Sequence, residues 1–197
     1  MLEIKENRLV YHYDAEEVWI EPWGADALRI RATKERQMPE EDWALRRQPH
    51  PCEMKYTETG AEISNGKIRE EITRLGKIRI CSREGRVLLE EYCRNRRDVL
   101  NPKCGAIEVE AREFKPISGG DYHLTMRFES LDRNEKLFGM GQYQQPYLDL
   151  KGLDLELAHR NSQASVPFVI SSLGYGLLWN NPGVGRAVFG KNIMSFE

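Results

Sequence analysis

Near the end of the chain, a polar and aromatic stretch offers groups that could recognise a neutral, hydroxylated ligand. It lies between Leu137 and Asn181, and its first part has almost no helical periodicity. Amide side chains offer a donor and an acceptor to neighbouring hydroxyls, and aromatic rings offer an apolar face to a sugar ring. The groups that fit are Gln142, Tyr143, Gln144, Gln145, Tyr147, Lys151, Arg160, Asn161, Ser162, Gln163, Trp179, Asn180 and Asn181. The alternative is that these amides only satisfy the loop backbone, and residue types alone do not decide between the two.

The same stretch has few groups for acid–base or nucleophilic catalysis. Its central carboxylates are Asp149, Asp154 and Glu156, whereas a glycosidase needs two carboxylates that face each other across the scissile bond. Because Asp154 and Glu156 alternate with leucines, we expect them on the solvent side of a strand. No Gly-x-Ser-x-Gly motif occurs, and no cysteine and histidine follow the logic of a catalytic triad. The sequence therefore names no catalytic residue.

Cofactor and metal motifs are also missing from the sequence. Gly139-x-Gly141 and Gly183-x-Gly185-x-x-x-x-Gly190 lack the GxGxxG spacing and the following helix of a dinucleotide site, so we expect tight-turn glycines. The histidines lie in separate segments without ligand spacing, at His12, His50, His123 and His159. A ligand-facing role remains an alternative for His159, which lies inside the polar stretch. We predict no metal and no cofactor.

Length, charge and cysteine content limit the class of protein. The 197 residues fit one domain, and 29 basic against 31 acidic residues give a net charge of −2. No basic field is present to bind nucleic acid, and the small cluster at Arg94–Arg97 has no interleaved aromatics. No apolar run reaches the about 20 residues that span a bilayer, so we expect no membrane partner. Since the four cysteines form no CxxC pair and the N-terminus has no apolar leader, we expect a cytoplasmic protein with reduced thiols.

Short alternating runs separated by turn residues dominate the rest of the chain. Asn65-Gly66, between two such runs, is a strong hairpin signal. The predicted strands are Leu9–Tyr13, Val18–Trp23, Ala27–Thr33, Ala61–Ser64, Lys67–Leu75, Lys77–Ser82, Val87–Tyr92, Ala106–Phe114 and Tyr122–Glu129. Many short strands at this spacing predict an all-β sandwich or barrel with little helix.

Four segments of the polar stretch resemble the N-terminal domain of glycoside hydrolase family 31, which contains α-glucosidases and α-xylosidases. They are LFGMGQYQ at 137–144, LDLKG at 148–152, NSQASVPF at 161–168 and GYGLLWNNP at 174–182. Earlier segments fit as well, including LRIRAT at 28–33 and ISNGKI at 63–68. The resemblance therefore covers essentially the whole chain, and bacterial α-xylosidase-like members are the most similar.

The resemblance implies a galactose-mutarotase-like supersandwich that packs on a (β/α)8 catalytic barrel and extends one loop into the active-site pocket. The matching loop positions are Arg160, Asn161, Ser162 and Gln163. Many members have an Arg-Asp pair at the first two, whereas Asn161 keeps an acceptor but has no charge. We also predict substrate contacts from four residues outside the loop, namely Gln142, Tyr143, Lys151 and Trp179.

The family's catalytic aspartates belong to the barrel, and the Trp-x-Asp-Met-Asn-like nucleophile motif does not occur in this sequence. We therefore expect residues 1–197 to be the non-catalytic domain of a retaining α-xylosidase or α-glucosidase, with the barrel absent from this chain. The fragment alone should be inactive. Its expected partners are a neutral sugar or oligosaccharide and its own barrel. An exposed apolar patch that faces the barrel would also allow a homodimer.

Two alternatives of other classes remain open. The chain could be a free-standing carbohydrate-binding module. It could also be an aldose epimerase on the same fold, which needs a carboxylate base and an acidic histidine that converge on the anomeric carbon. The loose pairs for that chemistry are His123 with Glu129 and His159 with Glu156.

Overall fold

The computed structural model describes residues 1–42, 44–46, 48–94 and 107–197. These residues form two compact units, Met1–Glu91 and Tyr92–Glu197. Within the described ranges every regular element is a strand, which confirms the all-β sandwich class. Two features of the sequence lie outside the described residues. They are residues 95–97 of the basic cluster, and Cys104. No described segment is a helix with the length and apolarity that crossing a bilayer requires.

The first unit consists of two antiparallel meanders. One contains β1 (Leu2–Lys5), β2 (Arg8–Tyr13), β3 (Glu16–Pro22) and β4 (Leu28–Thr33), paired in that order. The other contains β5 (Glu53–Tyr56), β6 (Gly60–Asn65), β7 (Ile68–Thr73), β8 (Ile78–Ser82) and β9 (Val87–Glu91), also paired in chain order. Sequential hairpins of this kind follow from the closely spaced turn residues between the alternating runs.

The two meanders of the first unit share one hydrophobic core. Its fully covered residues are Leu9, Tyr11, Val18, Ile20, Ala61, Ile63, Ile72 and Ile78. Each buried aliphatic side chain of this size stabilises the fold by about 1.5–3 kcal/mol. The predicted Asn65-Gly66 hairpin is present, with Asn65 paired to Ile68. The Asn65 amide also donates to the carbonyl oxygens of Gly24 and Ala27, at 2.8 and 2.7 Å, so this turn ties the meanders together.

The second unit contains a larger and a smaller antiparallel sheet. The larger sheet pairs its strands in the order β13 (Asp154–Leu157), β16 (Gly185–Phe189), β17 (Ile193–Phe196), β11 (Tyr122–Glu129) and β10 (Arg112–Pro116). The smaller sheet has the order β12 (Leu137–Gln142), β14 (Ala164–Ser171) and β15 (Gly176–Leu178). Aromatic side chains from both sides fill the interior, since Trp179 stacks on Phe196 at 5.6 Å and Phe189 meets Phe196 edge-on at 6.0 Å.

A register shift interrupts the pairing of β12 with β14. Gly139 pairs with Val169, and Gly141 pairs with Ser165, so two steps along β12 match four along β14. The unpaired part of β14 contains Pro167, which has no N–H to donate to the sheet.

The two glycines at this shift allow a close approach of backbones. Their φ angles are 108° at Gly139 and 94° at Gly141. A Cβ atom at Gly139 would lie 2.4 Å from the carbonyl oxygen of Phe168, and one at Gly141 would lie 2.2 Å from that of Ala164. The expectation of tight-turn glycines is therefore wrong for this pair, because both lie within strand β12, opposite the extra residues of β14.

Candidate functional site

The predicted loop is a two-residue turn between β13 and β14. The main-chain N–H of Arg160 donates to the carbonyl oxygen of Gln163 at 3.3 Å, and the N–H of Gln163 donates back to Arg160 at 3.1 Å. Asn161 and Ser162 form the tip, and Ser162 adopts a left-handed φ of 64°. A non-glycine residue in this region is uncommon and marks a constrained turn.

The side chain of Arg160 is held by Glu156, the residue near the end of β13. Arg160 Nε donates to Glu156 Oε2 at 2.7 Å, and a terminal nitrogen donates to Oε1 at 2.5 Å. This fork-to-fork geometry fixes the plane of the guanidinium as well as its position. The hydrogen bond from Arg160 lowers the pKa of the Glu156 carboxyl below its ordinary value and raises the pKa of Arg160.

The main chain of Glu156 is a second anchor for the same loop. Its carbonyl oxygen accepts a hydrogen bond from the Tyr143 hydroxyl at 3.0 Å. The Gln163 amide nitrogen donates to the carbonyl oxygen of Ala158 at 3.1 Å, and the Tyr143 oxygen lies 2.9 Å from Ser165 Oγ. In this structure, the side chains of Tyr143 and Gln163 therefore hold the backbone of the turn.

Three predicted residues keep polar groups without a protein partner. Asn161 and Ser162 at the tip, and Gln142 at the end of β12, are exposed. Gln142 pairs with Ala164, the residue that follows the loop, so it lies at the same end of the small sheet. Within the described ranges the side chains of these three residues make no hydrogen bond to the protein. They are the groups of this corner that remain available to a hydroxylated ligand.

Lys151 lies away from this corner, before the other end of β13. Its Nζ is buried without a hydrogen-bond partner among the described residues. The side chain lines a cavity of about 10 Å3 together with Glu135, Ser130 and Asn192, a size that suits a single water molecule. Since β13 separates Lys151 from Arg160 by about 13 Å of strand, the structure does not bring Lys151 to the loop.

Trp179 is a core residue of the second unit. It is 8% exposed, and its ring stacks on Phe196 with an interplanar angle of 24°. The binding role predicted for Trp179 stays a prediction, whereas its role in packing follows from the observed burial.

The acidic residues of the stretch are occupied with structural bonds. Asp149 Oδ1 accepts from the main-chain N–H groups of Leu137 and Lys151, both at 3.2 Å. Asp154 accepts from Arg186 Nε at 2.6 Å, and this bond lowers the pKa of the Asp154 carboxyl. The described residues contain no group of three or more His, Cys, Asp and Glu side chains arranged for a metal ion.

The histidines do not form the converging pairs that an epimerase needs. His123 and Glu129 occupy the two ends of β11, which places them about 20 Å apart along the strand. Glu156 is engaged by Arg160, and His159 Nδ1 accepts a long hydrogen bond of 3.4 Å from the N–H of Ser165. The first pair therefore lacks the geometry of a base and an acid on one carbon, and in the second pair the carboxylate is already engaged by Arg160.

Sequence reasoning missed the central position of Glu156 and the contribution of Ser165. A signal for Glu156 was present in the alternation of Asp154 and Glu156 with leucines, which places both acids on one face of β13. The partner strand has Arg186 opposite Glu156, and pairing across strands cannot be read from one strand alone.

The match to a family model now defines the class of the protein. Residues 17–185 match the glycosyl hydrolase 31 N-terminal galactose mutarotase-like domain. The chain belongs to this family, as its resemblance predicts.

Individual relatives agree with that assignment. An uncharacterized family 31 glucosidase of Pseudescherichia vulneris is 44% identical over 196 residues, which cover 94% of this chain and 37% of the relative. A solved family 31 α-xylosidase from a soil metagenome, in complex with xylose, is 42% identical with a TM-score of 0.94 and covers 99% of this chain. A xylosidase from Aspergillus niger, at 21% identity and a TM-score of 0.71 over 95% of this chain, shares the fold.

This chain spans about a third of the length of these relatives. It covers 30% of the metagenome enzyme and 28% of the Aspergillus enzyme.

Proposed function

We propose that this chain is the non-catalytic N-terminal domain of a retaining α-glycosidase. In this proposal it supports a catalytic barrel and presents the Arg160–Gln163 loop to the substrate pocket. The proposed substrate is a neutral α-linked sugar. We favour an α-xyloside over an α-glucoside because of the similarity to an α-xylosidase. Cys52 and Cys81 are free thiols, which supports a cytoplasmic location of the parent enzyme as part of this proposal.

An exposed apolar face on the small sheet of the second unit is the observation that carries the proposal. Val166, Phe168 and Ile170 point outward from β14 and are 52, 39 and 50% exposed. Leu178, opposite Phe168 on β15, is 43% exposed. Soluble proteins rarely leave such a set of apolar neighbours uncovered unless another surface packs on it.

The polar loop and this apolar face are continuous. Gln163 is followed directly by β14, so the strand that carries the apolar side chains begins where the turn ends. A body that covers the face would therefore also lie next to Asn161 and Ser162. A catalytic barrel is a suitable body, because the relatives have two thirds of their length outside the matched region.

The test of the proposal compares the parent enzyme with the isolated chain. The parent enzyme should hydrolyse p-nitrophenyl α-xyloside, and the 197-residue chain should not. Replacing both tip residues, Asn161→Ala together with Ser162→Gly, should raise the KM of the parent enzyme. A parent enzyme that hydrolyses neither α-xylosides nor α-glucosides would overturn the proposal.

Two measurements on the isolated chain separate the alternatives. Titration calorimetry with xylose, glucose and maltose should give no binding heat, whereas measurable heat favours a binding module. Polarimetry with fresh α-glucose should show mutarotation no faster than in buffer, whereas acceleration favours an epimerase. Sedimentation equilibrium then tests whether the apolar face of the isolated chain supports a homodimer.

A further inference from the structure

We propose that Glu156 is the positioning residue of the Arg160–Gln163 loop, and that it sets the strength of substrate binding without touching substrate. The inference rests on the proposed function. It assigns to Glu156 the task of holding the turn from two sides, so that the free groups of Asn161 and Ser162 keep one orientation.

The two anchors act on different parts of the turn. The carboxylate holds the guanidinium of Arg160 through two hydrogen bonds. The carbonyl oxygen of the same residue accepts from Tyr143 at 3.0 Å and lies 3.5 Å from the Gln163 amide nitrogen. Glu156 therefore contacts both residues that flank the tip, Arg160 and Gln163.

The position of Glu156 is itself fixed by the sheet. Leu155 and Leu157, its neighbours on β13, are 5 and 8% exposed and anchor the strand in the core. Glu156 pairs with Arg186 of β16, so its backbone is part of the ladder of the larger sheet. A side chain on this rigid strand orders an exposed turn that otherwise has few buried contacts.

Positioning, and not stability, is the expected contribution. The side chains of Arg160 and Glu156 are 61 and 46% exposed, and exposed ion pairs add little to the free energy of folding. The same strand provides a matched control in Asp154, which makes an equivalent two-pronged pair with Arg186 but does not contact the loop. The side chain of Asp154 is 44% exposed and that of Arg186 is 55% exposed.

The experiment compares Glu156→Gln with Asp154→Asn in the parent enzyme. Glu156→Gln should raise the KM for p-nitrophenyl α-xyloside about five-fold and leave kcat within about two-fold, since binding is lost equally in the ground and transition states. Asp154→Asn should change neither. Both variants should melt within about 2 °C of the unchanged enzyme.

Two further variants sharpen the assignment. Arg160→Lys keeps the positive charge but cannot form the two parallel hydrogen bonds of the guanidinium with Glu156. It should raise KM as much as Glu156→Gln does. The double variant should raise KM little beyond either single variant, because both substitutions remove the same interaction between Glu156 and Arg160.

Hydrogen exchange in the 197-residue chain gives a readout that does not depend on activity. The amides of Arg160 and Gln163 should exchange faster in Glu156→Gln and not in Asp154→Asn. Two results would overturn the positioning role. One is that the amides of Arg160 and Gln163 exchange faster in Glu156→Gln while the KM of the parent enzyme is unchanged. The other is that the exchange of these amides does not change. If the unmodified parent enzyme lacks glycosidase activity, the proposed function fails, and that result is seen before any variant is compared.

Discussion

The hydroxyl of Tyr175 donates a hydrogen bond to the carboxylate of Glu135 at 2.7 Å. Glu135 is 2% exposed, and the same oxygen also accepts from the hydroxyl of Ser171. A buried carboxylate is tolerated only when donors replace the water that it loses. These bonds tie the turn after β14 to the segment before β12.

Tyr175→Phe should lower the free energy of unfolding by about 1.5–3 kcal/mol, because it removes a donor from a charged acceptor. Denaturant titration followed by fluorescence measures this difference. Tyr147→Phe is the control. Tyr147 is 64% exposed, so its change should stay within about 0.5 kcal/mol. Equal values for the two variants would contradict a stabilising role of the Glu135 contact.

Alkaline pH should weaken the second unit through the same contact. Burial, followed by the hydrogen bond and the charge of Glu135, raises the pKa of Tyr175. The folded state therefore keeps this proton at a pH where the unfolded chain releases it. The stabilisation is fully present below the ordinary tyrosine pKa of about 10 and declines as pH rises above it. Unfolding curves between pH 8 and pH 11 should show this decline for the unchanged chain and a smaller one for Tyr175→Phe.

Gly141→Ala should destabilise the second unit strongly. The new Cβ would meet the backbone oxygen of Ala164 at 2.2 Å, and a backbone atom held in a sheet cannot move aside cheaply. We expect a loss of more than about 2 kcal/mol. Gly152→Ala is the matched control. Gly152 also has a positive φ, 89°, but nothing lies within 4 Å of its Cβ position, so only the conformational cost of about 1–2 kcal/mol remains.

Lys77→Met should lower the stability of the first unit. Glu90 is 6% exposed. Its Oε1 lies 3.0 Å from Lys77 Nζ, and its Oε2 accepts a hydrogen bond from Arg79 Nε at 3.3 Å. Burial acts to raise the pKa of Glu90, but the hydrogen bonds and charges of Lys77 and Arg79 outweigh it, and the pKa is lowered. In Lys77→Met one of the groups that offset the burial of the Glu90 charge is missing. We therefore expect the free energy of unfolding to fall by about 1–3 kcal/mol at neutral pH.

The stabilisation by Glu90 is present above the ordinary glutamate pKa and is lost as pH falls through its lowered value in the folded state. The difference between Lys77→Met and the unchanged chain should therefore shrink in acid. Lys55→Met breaks the pair with Glu62, in which the lysine is 67% exposed. It should cost less than about 1 kcal/mol at any pH.

Ile170→Thr tests the exposed apolar face. Ile170 is 50% exposed and Val169, beside it, is 0% exposed. In the isolated chain Ile170→Thr should change the free energy of unfolding by less than about 0.5 kcal/mol, while Val169→Thr should cost about 1–3 kcal/mol. In the parent enzyme Ile170→Thr should lower the melting temperature measurably if the barrel covers this face as proposed. An unchanged melting temperature would contradict coverage by the barrel.

Local pattern was enough to predict much of the strand structure. The predicted strand Tyr122–Glu129 has the observed bounds, and the hairpin at Asn65-Gly66 is present. In both cases the information lies within a few consecutive residues, through alternation or turn chemistry. The loop Arg160–Gln163, which forms one turn in the structure, was inferred from the family resemblance and not from local pattern.

Features that depend on distant residues were not accessible in this way. Trp179 is buried by Phe196, seventeen positions later in the chain. The glycines at 139 and 141 are required by carbonyl oxygens more than twenty positions away, at Phe168 and Ala164. A single sequence shows an aromatic residue or a Gly-x-Gly pair, but the neighbour that determines its role is known only from the fold.

The mismatch between β12 and β14 is even, because two steps along one strand are set against four along the other. Side chains alternate with a period of two, so an even excess leaves Val166 and Ile170 on the same side of the sheet. Removing one residue between Ala164 and Val169 would reverse this phase and turn Val166 inward and Ser165 outward. The length of this segment can therefore change only in pairs of residues if the turn at Asn161 and Ser162 is to stay beside the apolar face.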